Sequence, residues 1–380
     1  MKPESMIFAS DSFKGSLSQE QILSLLEFSA AKHFPDCTCV SLPIADGGEG
    51  TAEAVVRAAG GELRKVKVHG PLMEEREACY GLLPHGRAII EMAQASGLPL
   101  VPEEQRDPRN TTTYGTGELI LDALRQGCRD IRIALGGSAT NDGGMGCLRA
   151  LGFRFLDKDG NELEGYGRDL AKVSHISLSQ VKRRVHAASF TVMCDVDNPL
   201  CGKDGATYIF GPQKGATPEI LEELEAGMQN YARCAEAALG ENYAGVSGAG
   251  AAGGLGFAAA AFLRGQMRSG IETVLDLIQF DRMLMEAGCV ITGEGRMDGQ
   301  STRGKAVYGI AEHCKKEGVP CYAIVGSLGE GAEKMYRHGV TDVVVTAPEG
   351  MDLADAMANA ESLYRKAADR LFEQIERKPL

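Results

Sequence analysis

Short apolar runs alternate with amphipathic stretches at both ends of this chain, and few architectures accommodate that rhythm. Residues 6–9 predict a strand. Residues 18–33 predict a helix, opened by a capping box of Ser18 and Gln21 and presenting Ile22, Leu25, Leu26 and Ala30 on one face. Residues 38–44 predict a second strand and residues 50–59 a second helix. Strands and helices in turn imply a parallel sheet covered by helices, because parallel neighbours need a crossover connection. The rhythm returns with strands at 289–292, 321–325 and 342–346 around a helix at 305–316. A last long helix is expected to carry Leu353, Met357, Ala360, Tyr364, Ala367 and Leu371 at spacings of three and four.

The middle of the chain reads differently, with strand-like runs at 78–83, 88–92, 131–135 and 190–194 and a polar, basic stretch at 177–185. At 380 residues the chain exceeds the usual single-domain size. The expected fold class is therefore α/β with two domains. One parallel-sheet domain is formed by both chain ends (1–70 plus 286–380), and a second α/β domain (71–285) is inserted in it.

Composition narrows the function. Apolar residues make up 44% and charged residues 24%, so the chain is globular rather than disordered. A net charge of −12 argues against a nucleic-acid partner, which needs a basic face. The segment before residue 14 has too short an apolar run for a signal peptide, and no window of about 18 residues is apolar enough to span a membrane. A cytoplasmic location is expected, with the 11 scattered cysteines reduced. Association into a homo-oligomer is left open.

The 48 glycines cluster in short blocks. Six loops, most of them following a predicted strand, combine glycine with acids, amides or hydroxyls. They are Asp11-Ser-Phe-Lys-Gly-Ser16, Ala45-Asp-Gly-Gly-Glu-Gly-Thr51, Gly136-Gly-Ser-Ala-Thr-Asn-Asp-Gly-Gly144, Cys194-Asp-Val-Asp-Asn-Pro-Leu200, Gly248-Ala-Gly-Ala-Ala-Gly-Gly-Leu-Gly256 and Gly293-Glu-Gly-Arg-Met-Asp-Gly299 continuing to Lys305. Ligands of open α/β sheets bind at the carboxyl ends of strands, where such loops emerge. Glycine lets backbone N–H groups approach an anion, and carboxylates and Asn supply hard oxygens for Mg²⁺. Lys14, Arg296, Arg303 and Lys305 concentrate positive charge within these acidic loops. Acid, glycine and fixed cation together suit phosphoryl transfer, which asks mainly for positioning and charge stabilisation.

Each loop has a plainer reading. Asp46 or Asp142 could cap the helix that follows it. Gly248-Ala-Gly-Ala-Ala-Gly253 matches a dinucleotide fingerprint but follows no convincing strand, and Gly299–Lys305 resembles a P-loop whose Mg²⁺-binding hydroxyl is replaced by Ala306. The seven histidines all lie outside the six loops and form no metal cluster, and there is no GxSxG elbow. An NAD-dependent hydroxy-acid oxidoreductase using the Gly248 loop and a non-enzymatic nucleotide or sugar-acid sensor stay as alternatives.

As a set, the blocks from Asp11 to Lys305 resemble the bacterial glycerate kinase family, the group linked to glyoxylate and sugar-acid breakdown, and the resemblance covers essentially the whole chain. It implies a flavodoxin-like domain interrupted by a second domain of restriction-endonuclease-like topology. It also implies transfer of the γ-phosphate of ATP to D-glycerate in an interdomain cleft, giving 2-phosphoglycerate, with 3-phosphoglycerate the alternative.

Candidate roles follow from residue type. Asp195 is the first choice for the base that orients the glycerate hydroxyl, and Asp298 the second. Lys14 and Lys305 would contact phosphates, Ser138, Asn141, Gly253 and Gly254 would hold ATP, and Asp46, Glu49, Asp142 and Glu294 are candidate Mg²⁺ ligands. Arg296 or Arg303 suits a bidentate grip on the glycerate carboxylate, with Ser12 and Asn198 as further substrate contacts.

Overall fold

The structure is a computed structural model that describes residues 3–45, 47–301 and 305–377. Its strands are, in chain order, β1 (Ser5–Ser10), β2 (Thr38–Ser41), β3 (Glu62–His69), β4 (Glu75–Leu83), β5 (Arg87–Glu91), β6 (Asp130–Ala134), β7 (Arg154–Leu156), β8 (His175–Ser177), β9 (Ser189–Met193), β10 (Gln266–Arg268), β11 (Cys289–Met297), β12 (Cys321–Leu328) and β13 (Val340–Val345). The chain divides into two compact units: Met1–Asp46, Arg57–Ala59 and Ile271–Leu380 form one, Gly47–Val56 and Gly60–Gly270 the other.

The first unit holds a five-stranded sheet, β13-β12-β11-β1-β2, with every neighbouring pair parallel. Counted in chain order within the unit, the strands run 2-1-3-4-5, the flavodoxin-like doubly wound order. The order reverses between β1 and β11, and the rule for such sheets places ligands outside the carboxyl ends of that pair. Alternate residues feed opposite cores. Ile7, Ala9, Val290 and Ala323 pack with Val307 and Ile310, while Met6, Phe8, Ile291 and Ile324 pack with Leu26, Leu371 and Phe372. Burial on both faces explains why these strands read as unbroken apolar runs.

The capping box forms as the sequence predicts. Gln21 N donates to Ser18 Oγ at 3.2 Å, and Ser18 N donates to Gln21 Oε1 at 2.8 Å. The last helix differs from expectation, being split into Leu353–Ala358 and Ala360–Arg377. Asn359 separates them, its side-chain amide donating to Asp355 O at 2.9 Å and so competing with the helix ladder. Leu353 is consequently 73% exposed rather than part of the apolar stripe. β11 also outruns its predicted end at 292, because Arg296 and Met297 still pair with Ser327 and Leu328.

His313, on the Ala306–Glu317 helix, is held between Glu272 and Asp281, and Lys316 bonds the same Asp281. The Glu272 carboxylate, then Asp281, pushes the imidazole from 6.5 up to about 9, against the desolvation of a half-buried ring. A raised folded-state pKa stabilises fully below the unfolded value and is lost as pH rises through the folded one. Urea midpoints should therefore fall between pH 6.5 and pH 9 by an amount worth about 1 kcal/mol after solvent screening. His313→Gln should flatten that slope.

The second unit holds the sheet β10-β9-β6-β5-β4-β3, parallel from β10 to β5 and antiparallel through β4 and β3. A separate antiparallel ribbon joins β7 to β8. Ile90, Ile131, Ile133, Leu119, Leu148, Tyr231 and Phe257 meet in its core. β3 pairs along its whole length with β4, which carries residues 62–69 into this sheet. Ile271 and Leu275, at the other junction, are buried in a core of the first unit. The second unit thus takes in Gly47–Val56 and Gly60–Gly270, where the sequence-based division is at 70 and 285. Among the described residues no helix is long and apolar enough to cross a membrane, and the cysteines are free thiols.

Candidate functional site

In the first unit the loop after β1 meets the middle of β11 at the strand-order reversal. Asp11 N donates to Gly293 O at 3.0 Å, which sets Asp11 beside the strand residue preceding Glu294. Asp11 in turn accepts from Ser12 N at 2.6 Å and Ser12 Oγ at 3.4 Å. Lys14 rides an exposed turn pinned at its base by buried Phe13 and Leu17, with Phe13 N bonded to Leu17 O at 3.0 Å. Gly15 occupies the left-handed region at φ +81°, where a side chain would be strained.

Glu294 is 7% exposed. Its Oε2 lies 3.4 Å from Lys305 Nζ, while its buried Oε1 has no hydrogen-bond partner among the described residues. Burial pushes this carboxyl above the usual range and the nearby Asp11 adds to the effect, against Ser301 and Lys305. A buried carboxylate oxygen left without a donor is costly, and a cation or a proton is what relieves it. Those oxygens are hard donors of the kind Mg²⁺ takes. Asp298 is occupied differently: its Oδ1 accepts from Gln300 N at 2.9 Å and its own N donates to Ser301 Oγ at 3.1 Å, which is turn chemistry. Arg296, 3.5 Å from Asp298, keeps 69% of its side chain exposed. Asp46 and Arg303 lie outside the described residues.

In the second unit the loops after β5, β6 and β9 lie at one end of the sheet. Asp142 is fully enclosed and accepts from Thr113 N (2.8 Å), Thr113 Oγ1 (2.7 Å), Gly146 N (3.1 Å) and Gly144 N (3.0 Å). The bonds from Gly144 N and Gly146 N hold the start of the Met145–Leu151 helix, the plainer role left open by the sequence, and those from Thr113 tie it to the start of the Tyr114–Arg125 helix. Lys214, also enclosed, donates to Thr140 O at 2.7 Å, and burial pulls its amine down to about 7 despite Asp142 nearby. Glu91 does for the Thr51–Ala59 helix what Asp142 does for its own, accepting from Ala52 N at 2.6 Å and Gly50 N at 3.3 Å. Glu49 stands exposed in the loop that Glu91 fixes.

Asn141 is enclosed, donating to Thr207 Oγ1 at 3.2 Å, and its Oδ1 has no partner among the described residues. Ser138 is 9% exposed. Gly253 and Gly254 are buried against this same loop: Gly143 N donates to Gly253 O at 2.9 Å, and a Cβ on Gly253 would meet Thr140 O at 1.9 Å. They join two loops back to back through left-handed backbone at φ +63° and +95°. No strand immediately precedes them, so the dinucleotide fingerprint fails on its own structural requirement. Asp195 is exposed just past β9 and accepts from Gly270 N at 3.0 Å. Asn198 braces the loop by donating to Asp204 O at 2.9 Å.

Sequence reading gave no role to Asp11, Glu91, Thr113 or Lys214. Glu91 had a readable signal, an acid closing the apolar run Ala88-Ile-Ile. Lys214, in Gly-Pro-Gln-Lys-Gly, had none.

A sequence profile of the glycerate kinase family matches residues 6–376. A glycerate kinase of Halalkalibacterium halodurans is 44% identical over 364 residues, covering 96% of each chain. A glycerate 2-kinase of Escherichia coli is 45% identical over 339 residues, 89% of each chain. A crystal structure from Salmonella typhimurium, provisionally named glycerate kinase 2, superposes with a TM-score of 0.86 at 42% identity, covering 98% of both chains.

Proposed function

The chain belongs to the glycerate kinase family and is a kinase, and from that premise we propose that it transfers the γ-phosphoryl group of ATP to a hydroxyl of D-glycerate with Mg²⁺, giving 2-phosphoglycerate. The observation that carries the metal-assisted reading is the buried Oε1 of Glu294, without a partner among the described residues, beside Asp11 at the strand-order reversal of a doubly wound sheet. In this reading Glu294 and Asp11 hold the metal, which when bound offsets negative charge on the phosphate oxygens. Lys305, already 3.4 Å from Glu294, and Lys14 at its exposed turn neutralise transferring phosphoryl oxygens. Arg296, with most of its side chain exposed, grips the glycerate carboxylate. Asp142 is left out as a metal ligand because its lone pairs are spent on Thr113, Gly144 and Gly146.

Asp195 orients the acceptor hydroxyl and takes its proton. Its carboxylate is exposed at a strand end, whereas the rival Asp298 is committed to a turn. Asp195→Asn should lower kcat by about a hundredfold or more at unchanged melting temperature, the usual size of a general-base contribution. A variant retaining most of its kcat removes Asp195 from that role. The reaction itself is tested by incubation with ATP, Mg²⁺ and D-glycerate, followed by phosphorus NMR. A 2-phosphoglycerate signal accompanied by ADP is expected; no product, or 3-phosphoglycerate alone, overturns the proposal.

A further inference from the structure

A cavity of about 270 Å³ lies in the second unit between β3 and the Tyr114–Arg125 helix, and Lys67, Arg125 and Lys182 all line it. Three cations around one cavity are conspicuous in a chain of net charge −12. Glu118 and Asp122 also line it, but both are committed elsewhere. Asp122 Oδ2 accepts from Arg64 Nε at 2.6 Å and Tyr80 OH at 3.1 Å. Glu118 Oε2 accepts from His69 N at 2.7 Å and meets His69 Nδ1 at 3.0 Å. Among the described residues, none of Lys67, Arg125 and Lys182 has a carboxylate within the 4.0 Å of an ion pair.

Helix electrostatics account for part of this. Arg125 ends its helix, and Lys182 Nζ donates to Ala150 O at 2.7 Å near the end of the Met145–Leu151 helix, where cations are favoured. Neither reason applies to Lys67, which comes from a β-strand. Partial burial, and after it the Arg125 charge, holds the Lys182 ammonium below its usual range. Tyr114 supplies an aromatic wall, with the Arg149 guanidinium 5.8 Å from its ring centroid.

We propose that this cavity binds a phosphate-class anion, inorganic phosphate or a small phosphomonoester, with Arg125 and Lys67 closing on its oxygens around the fixed head of Lys182. The volume accommodates a phosphomonoester of a few carbons, and charge-assisted hydrogen bonds to guanidinium and ammonium are the strong ones.

The chain contains no tryptophan, so Tyr114→Trp places a single indole at the cavity wall. Its emission is followed during titration with inorganic phosphate, with glycerol phosphate, and with sodium chloride at matched ionic strength. A saturable change with either phosphate but not with chloride is expected, and whichever binds more tightly identifies the source. Adding Arg125→Met and Lys67→Met, both at exposed positions, should weaken binding by about tenfold or more. Lys14→Met should leave it unchanged. No saturable response up to about 10 mM, a response that chloride reproduces, or one that survives the double substitution would overturn the proposal.

Discussion

Glu294→Gln is expected to lower kcat by about a hundredfold or more while the melting temperature stays at or slightly above wild type. The two halves of this expectation have one cause. Glu294 is buried within β11, and among the described residues its Oε1 has no hydrogen-bond partner, so its charge is a cost to the fold that a bound cation or a proton relieves. Glutamine keeps the shape and still offers an acceptor to Lys305, which lies 3.4 Å from Oε2, but it removes the charge. Binding of Mn²⁺ followed by electron paramagnetic resonance gives a readout independent of turnover and should weaken by at least about tenfold. A variant with wild-type kcat and wild-type Mn²⁺ affinity would take the metal away from Glu294.

Asp142→Ala should destabilise the second unit by about 4 kcal/mol, a drop of roughly 10 °C in its thermal transition. Two effects compete. Removing an enclosed carboxylate recovers desolvation energy, since burial pushes the Asp142 carboxyl above the usual range. Against that, four donors lose their acceptor in a place water does not reach, at about 1–3 kcal/mol per orphaned group before relaxation. The enclosed Lys214 also loses its nearby counter-charge. The donors win. Asp142→Asn keeps part of the cap and should cost less than half as much. If calorimetry finds the alanine variant as stable as wild type, the capping account of Asp142 fails.

Much of the first unit was legible because its strands are buried on both faces and its helices carry local start signals. Residues 6–9 and 289–292 read as strands through their apolar runs, and Ser18 with Gln21 announced the helix that follows. The misreadings were of tertiary origin. The spacing of Leu353 and Met357 fitted a continuous stripe, but a side chain at Asn359 decided the break. β11 passed its expected end because pairing with β12 outweighed a glycine-rich, polar sequence that looks like a loop.

The candidate site divides along the same line. The residue types, their glycine spacing and their recurrence after strands were in the sequence, and they were enough to point to phosphoryl transfer and to the family. Which carboxylates are spent on structure was not. Asp142 and Glu294 look alike in sequence, each an acid in a glycine-rich loop. Among the described residues one has four donors, while the other has an oxygen with none. That difference arises from groups far along the chain, such as Thr113 folding back onto Asp142. Local sequence fixes what a loop can offer; only the packing of distant segments decides which of its atoms are still unclaimed.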